Sequence, residues 1–454
     1  MAAGGTFMTQ NKIRPGAYIN FVGVPKSLSA VGERGIVAIP YAASWGESVI
    51  EVLNTDLLQG KSLEKIGLSF ADDDALWLRL VLQSCSKAII ARTNSAPVKA
   101  GKTIGGIACE AVYGGTFGNK IEVSVVIASH EEDDGNGGTT TVVDSYTVTT
   151  WANGTKVDSQ KMANISSLVN NAYVKFTPSG SITAAIRTKL ENGTDGTVTA
   201  SSFSDALAAL DNYSFNILAI TQSDAGYKAQ AVLYVQNLRE EQGRYCQVVI
   251  NDYSSADSEA VINVVQGYKT STDTISADMA VFTIAGLEAG ATITQSLSGT
   301  VIPDAISVVG APTTHEDIEA ALNAGKFVLS RRADGAIVCE KDQNTLHTFT
   351  PSKGYIFSKN RPLRVLDQIG NDVKALFNNS FLGKVSNNEN GRNILKANLC
   401  NYFNQLQSIG AIQNFVSDDL VVLPGDAVDA VSVQMYVQPV DSMEKLYMVV
   451  NVEG

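Results

Sequence analysis

A strand at the very end of a chain has one backbone edge that the rest of the sequence must either cover or leave open, and this chain carries such a strand at both ends. In VSVQMYVQPVDSMEKLYMVVNV (431–452), Val431, Val433, Met435 and Val437 alternate with Ser432, Gln434, Tyr436 and Gln438. After Pro439 the apolar set resumes at Leu446, Met448, Val450 and Val452. Period-two alternation marks a half-buried strand. Its free N–H and C=O groups close the chain's own sheet or pair with another molecule. RPGAYINFVGV (14–24) makes the same demand, with Ala17, Ile19 and Phe21 on one side and Tyr18, Asn20 and Val22 on the other.

Between these ends the pattern is that of a layered α/β protein. IVAIPYAASWG begins with an apolar run typical of a buried strand, and DDDALWLRLVLQSCSKAIIAR reads as a helix running into a strand. From about residue 97 to 200 the chain becomes rich in Gly, Thr, Ser, Asn and Val. Short alternating runs such as KIEVSVVIAS and TTTVVDSYTVTTW are separated by turn clusters, which predicts an inserted β-rich domain. Strand and helix then alternate: YSFNILAI (strand), DAGYKAQAVLYVQNLREEQG (helix), RYCQVVIND (strand) and SADSEAVINVVQG (helix, capped by Gly267). A further helix, ADMAVFTIAGLEAG, and the strands in GKFVLSRR and GAIVCEK follow.

Two regular helices come next. In 361–379 an apolar stripe of Leu366, Ile369, Val373 and Leu376 lies opposite Arg364, Asp367, Asn371, Lys374 and Asn378. In 392–410 the stripe is Leu395, Leu399, Tyr402, Leu406 and Ile409. The expected fold is therefore a mixed α/β (α+β) multi-domain chain. Its parts are an N-terminal arm (1–24), a core in two parts (25–96 and 204–350) around a β-rich insertion (97–203), a helical region (351–430) and a C-terminal strand arm (431–454).

Composition narrows the function. Of 454 residues 18% are charged, against a usual share of about 25%, which points to surface covered by copies or partners. The net charge of −12 argues against a protein that tracks phosphates along nucleic acid. Five widely spaced cysteines, Cys85, Cys109, Cys246, Cys339 and Cys400, suit buried reduced thiols rather than a disulfide framework or a zinc site. The first residues carry no secretory pattern and no long apolar run follows, so synthesis in the cytoplasm without direct membrane binding is expected.

Motifs for chemistry fail on spacing. APVKAGKT has Ala96 where a phosphate loop needs Gly and opens a β-rich segment. The turn TQSDAG lacks a dinucleotide fingerprint. EEDDGNGG, counted from Glu131, has Val142 at the twelfth position where a calcium loop needs Glu. His130, His315 and His347 sit in unrelated contexts. No cofactor, no metal site and no enzymatic activity is expected.

RPGAYINF, IVAIPYAASWG, AGLEAG, GKFVLS, NTLHTF, FSKNRPLRVLDQIGNDVKALFNN, GKVSNNENGRNILKANLCNYFNQLQSIGAIQNF and VQPVDSMEKLYMVV occur in that order. Together they resemble the contractile tail sheath proteins of myophages and phage-tail-like bacteriocins (tailocins), in the form found in Gram-positive hosts. The resemblance spans nearly the whole chain outside 97–200. It implies hexameric rings stacked into a helical sheath around an inner tail tube protein, bounded by baseplate and tail terminator proteins. It also implies terminal arms that add strands to neighbouring copies, here through Tyr18, Ile19, Phe21 and Val22 and through Leu446, Met448, Val450 and Val452. Attachment to the tube is implied for the 361–379 helix through Arg364, Asp367, Asn371 and Lys374; on the residues alone that stripe reads equally as a solvated face. Assembly would take place in the host cytoplasm, and the subunit would then reside in a virion tail or a released particle. Two other classes fit parts of the sequence. A surface-layer or adhesin protein shares the Thr/Gly-rich insertion, and an α/β enzyme shares the core.

Overall fold

The computed structural model describes residues 31–133 and 135–453, so the expected N-terminal strand around Tyr18, Ile19, Phe21 and Val22 lies outside the described residues. The described chain divides into two compact units: 33–370 with 439–454, and a smaller one containing 371–438.

At the centre of the larger unit is a seven-stranded sheet in the order Lys326–Phe327, Val261–Val264, Gln247–Asn251, Ile217–Ile220, Ile36–Tyr41, Lys87–Arg92 and Val49–Leu53. All neighbours are parallel except the last pair. Strands buried on both faces read as continuous apolar runs, and period two then sends alternate residues to opposite layers. Val37, Ile39, Ala88, Ile90, Ile217, Ala219, Val249 and Ile262 face the layer of the helices Leu76–Leu82 and Ala277–Gly290. Ala38, Ile89, Ala91, Leu218, Ile220, Val248, Ile250 and Val261 face Ala200–Ala209 and Ala225–Glu240.

Ala277–Gly290 is buried on every side from Ala280 to Gly286, which explains its apolar composition. It meets the end of Leu76–Leu82 at its glycines: a Cβ on Gly286 would stand 2.5 Å from the Val81 carbonyl oxygen and one on Gly290 1.8 Å from that of Ser84. The predicted 255–267 helix is not formed. Val261–Val264 is instead an interior parallel strand of the seven-stranded sheet, and Gly267 begins Gly267–Lys269, an antiparallel strand of a separate three-stranded sheet. A short apolar run carries no periodicity that separates a buried strand from a buried helix.

The β-rich insertion has its own core. One sheet pairs Lys99–Ile104, Ile107–Gly114 and Val174–Pro178; the other pairs Ala185–Lys189, Ile121–Asp133, Thr139–Ala152 and Thr155–Met162. Ala100, Ile107, Phe117, Ile121, Val123, Val148 and Val174 fill the space inside, joined by Trp45 and Leu63 from outside the insertion. Asn153 and Gly154 both have positive φ (46° and 83°), as a two-residue hairpin turn requires. The neck is the antiparallel pair of Asn94–Ser95 with Thr197–Val198. Residues from Ala200 on therefore belong to the α/β core, through Phe203, Ala206 and Leu207, a few residues before the expected end of the insertion at 203.

The smaller unit holds the second half of the helix Asn360–Ser380, the helix Glu389–Ser408 and a hairpin of Leu420–Pro424 with Val431–Met435. Leu376, Leu395, Leu399, Tyr402, Phe403, Leu406, Phe415 and Leu420 are buried there. Asn388 caps Glu389–Ser408 by accepting from the Gly391 amide.

Candidate assembly surfaces

The helix Asn360–Ser380 begins inside the larger unit, and two of its polar side chains are used there. Arg364 Nη2 donates to Glu288 Oε2 at 2.6 Å and lies 3.4 Å from Asp342 Oδ2, while Nη1 donates to the Gln295 carbonyl at 2.6 Å. Asn360 donates to Glu288 Oε1 at 2.9 Å. Burial opposes the charge on Arg364, but the two carboxylates outweigh it and raise its pKa. Burial first, and the Asp342 carboxylate second, push the Glu288 carboxyl up to about 8 against the lowering pull of Arg364.

One turn on, Asp367 accepts both Nη1 and Nη2 of Arg239, at 2.7 and 2.8 Å, and this pair is also buried. The expectation of one exposed stripe through Arg364, Asp367, Asn371 and Lys374 thus fails for its first half. Arg364 and Asp367 are 2% and 6% exposed and serve as ionic anchors of the helix. Asn371 is half-buried and Lys374 exposed. Helical spacing shows which residues share a face but not what covers it, and here the polar face meets buried charges of opposite sign.

The C-terminal stretch also divides in two. Val431–Met435, expected as the start of an arm, pairs antiparallel with Leu420–Pro424 in the register Leu420 to Met435 and Val422 to Val433. This part closes its own hairpin because Gly425 to Ala430 turn the chain back, with the Gly425 amide donating to the Ala430 carbonyl. Asn387 secures the turn by donating to the Val428 and Ala430 carbonyls, both at 2.8 Å. Among the described residues no third strand joins either edge of the hairpin, and Val421, Leu423 and Val433 are exposed.

Residues 440–453 form no strand or helix, and the expected arm residues Leu446, Met448, Val450 and Val452 are 87%, 73%, 66% and 87% exposed. Tyr447 and Val449, on the opposite side of an extended chain, are exposed as well. The tail therefore presents apolar side chains in both directions.

Elsewhere the polar groups do structural work. The cysteines are free, and burial pushes the thiols of Cys85, Cys109 and Cys246 up to about 12. His130 sits between Asp144 and Glu132 on the insertion, His315 near Glu319 and His347 near Asp257, at three separate places. Among the described residues no cluster of three or more His, Cys, Asp or Glu side chains is placed to hold a metal ion. Sequence reading missed Glu288 and Asp342. The signal for Glu288 was a carboxylate at the end of the apolar run Met279 to Leu287, interrupted only by Thr283.

Two family models match: the phage tail sheath protein central domain over residues 196–345 and the phage tail sheath C-terminal domain over 352–453. The chain is 32% identical to the phage-like element PBSX protein XkdK of Bacillus subtilis, across 99% of both chains. The crystal structure of a sheath tail protein from Desulfitobacterium hafniense is similar at a TM-score of 0.78 and 36% identity, covering 95% of this chain and 99% of that one. The anti-feeding prophage helical sheath in its contracted state shares the fold at a TM-score of 0.54 and 10% identity, over 97% and 99% of the two chains. With a full-length relative at that identity and sheath domain models over its central and C-terminal parts, the chain belongs to the tail sheath protein family of phages and phage-like elements.

Proposed function

We propose that the chain is the repeating subunit of a contractile sheath, stacked as hexameric rings around an inner tube and linked to neighbouring copies by strand addition. Assembly would take place in the host cytoplasm, and shortening of the sheath would drive the tube through a target envelope. The observation that carries this reading is a mismatch within one subunit: an apolar, unpaired tail at 446–452 and a two-stranded hairpin with open edges. A two-stranded ribbon is marginal in water and gains by accepting further strands, and an exposed edge is a ready template for them. The tail of one copy entering the hairpin edge of another satisfies both. Such a ladder holds while subunits rotate, so rings can widen without parting. Contraction would release energy trapped when the extended lattice assembles, and no nucleotide site is required. The tube contact would fall to the second half of the helix Asn360–Ser380, around Asn371 and Lys374, where Lys374 is exposed.

Met448→Pro tests the link. Proline removes a ladder donor and adds a ring that a paired strand cannot hold. Because Met448 lies outside any core of its own subunit, the melting temperature should stay within about a degree of wild type, while tubes and stacked rings vanish from micrographs. A melting temperature lowered by several degrees with tubes still present would refute strand addition by the tail.

A further inference from the structure

Lys359, immediately before the helix Asn360–Ser380, has a side chain only 1% exposed, and both carboxylates in salt-bridge range of it belong to the C-terminal segment. Its ammonium contacts the Glu444 carboxylate and lies 3.7 Å from Asp441 Oδ2. The approach is that of an ion pair rather than an aligned hydrogen bond. A second contact holds the same carboxylate: the Ser298 hydroxyl donates to Glu444 Oε1 at 2.6 Å and accepts the Asp342 amide at 2.8 Å. Met443, between the two acids, is fully exposed. The segment therefore touches down through its acidic side chains, while Met443 points into solvent.

We propose that Lys359 is a buried receptor that pins the root of the C-terminal arm through Asp441 and Glu444, so that the movable part of the arm begins at Lys445. An ammonium withdrawn from water and left without a counter-charge is strongly unfavourable, and a cation just before a helix also faces the positive end of its dipole. Both effects oppose departure of the acids. Lifting the segment at Pro439 would strand Lys359, whereas swinging it beyond Glu444 breaks no ion pair seen among the described residues. The pivot is thus set by charge rather than by the proline. Ser298 links the root to Asp342, whose carboxylate also faces Arg364, so the arm's exit point is tied to the anchor of the helix. The pin itself rests on the contacts of one subunit; its meaning for assembly rests on strand addition by the tail.

The test is amine acetylation of the full-length, unassembled protein, with Lys359 and Lys445 compared by mass spectrometry, alongside trypsin cleavage after Lys445. In wild type Lys359 should be modified at least about tenfold more slowly than Lys445. The double variant D441N/E444Q removes both counter-charges while keeping the size of each side chain, and unchanged circular dichroism would show an intact fold. In it the protection of Lys359 should largely disappear and cleavage after Lys445 should quicken. Lys359 equally protected in the variant would overturn the proposal, because the surrounding core alone would then shield it. Met448→Pro serves as the control: loss of tubes with Lys359 still protected concerns strand addition and leaves the pin standing, and loss of tubes does not enter the acetylation result.

Discussion

Replacing Glu288 by Gln should change how the stability of this protein depends on pH. Glu288 is wholly buried beside Asp342 and Arg364, and its carboxyl is raised from 4.5 to about 8. In the unfolded chain it titrates near its ordinary value. The folded state therefore holds the proton more tightly, and its contribution to stability is fully present below pH 4.5. As pH rises, the unfolded chain gives up its proton first, so this contribution is lost progressively until the folded group also titrates near 8. At about 1.4 kcal/mol per pKa unit the whole excursion is on the order of 4–5 kcal/mol. Gln is the isostere of the protonated acid: it can still accept from Asn360 or Arg364 and its amide can donate to Asp342. Thermal melts of wild type and Glu288→Gln across that range should give similar midpoints at about pH 5 and a variant that is more stable by a few kcal/mol at about pH 8. Curves that stay parallel across the whole interval would show that Glu288 is ionised throughout, and the reasoning would fail.

Asp367→Ala should lower stability by about 3–5 kcal/mol in chemical denaturation by stranding Arg239 in the core, and the double change Arg239→Met with Asp367→Leu should recover most of it. Gly290→Ala should lower the melting temperature by several degrees or abolish soluble expression, because the new Cβ would stand 1.8 Å from a backbone oxygen and overpacking alone costs about 1–3 kcal/mol. Gly354→Ala, with open space around it, is the matched control and should melt like wild type.

The layers of the core were legible because a parallel sheet enforces a simple rule. IVAI (36–39), AIIA (88–91), ILAI (217–220) and VVI (248–250) are apolar at every position, and the helices Ala200–Ala209 and Ala225–Glu240 bury one stripe each. Val261–Val264 escaped that rule because a run of four residues is too short to show a period. The insertion was legible from composition, but its limit was set a few residues late, since the serines that open Ala200–Ala209 prolong the run of small polar residues before it. Along Asn360–Ser380 the polar stripe was identified and its environment was not. A residue's partners in three dimensions, Glu288 and Asp342 for Arg364 and Arg239 for Asp367, leave no mark at helical spacing. The same holds for Lys359, whose acids lie more than eighty positions away in the chain.

What remains of the arm after its root is accounted for must be held mainly by side chains. Ordering the backbone of each residue costs about 1–2 kcal/mol, and each ladder hydrogen bond returns about 0.5–1.5 kcal/mol net. The ladder by itself roughly cancels, so its task is register. Leu446, Met448, Val450 and Val452 on one side and Tyr447 and Val449 on the other tip the balance, since full burial of a large apolar side chain is worth about 1.5–3 kcal/mol. A tail with apolar residues on both sides is wasted on a sheet edge with one face in water. It suits a site covered on both faces. In the smaller unit the hairpin has the helix Glu389–Ser408 packed beside its first strand, with Leu420 buried between them, while Val421, Leu423 and Val433 remain exposed. An incoming tail can therefore bury one set of side chains toward that helix, and covering the other set takes surface from a further molecule. If the tail adds to a neighbour's hairpin as proposed, it would bind fully only in a stacked lattice, where a further copy supplies the second face. Isolated subunits would then keep their tails free until rings stack.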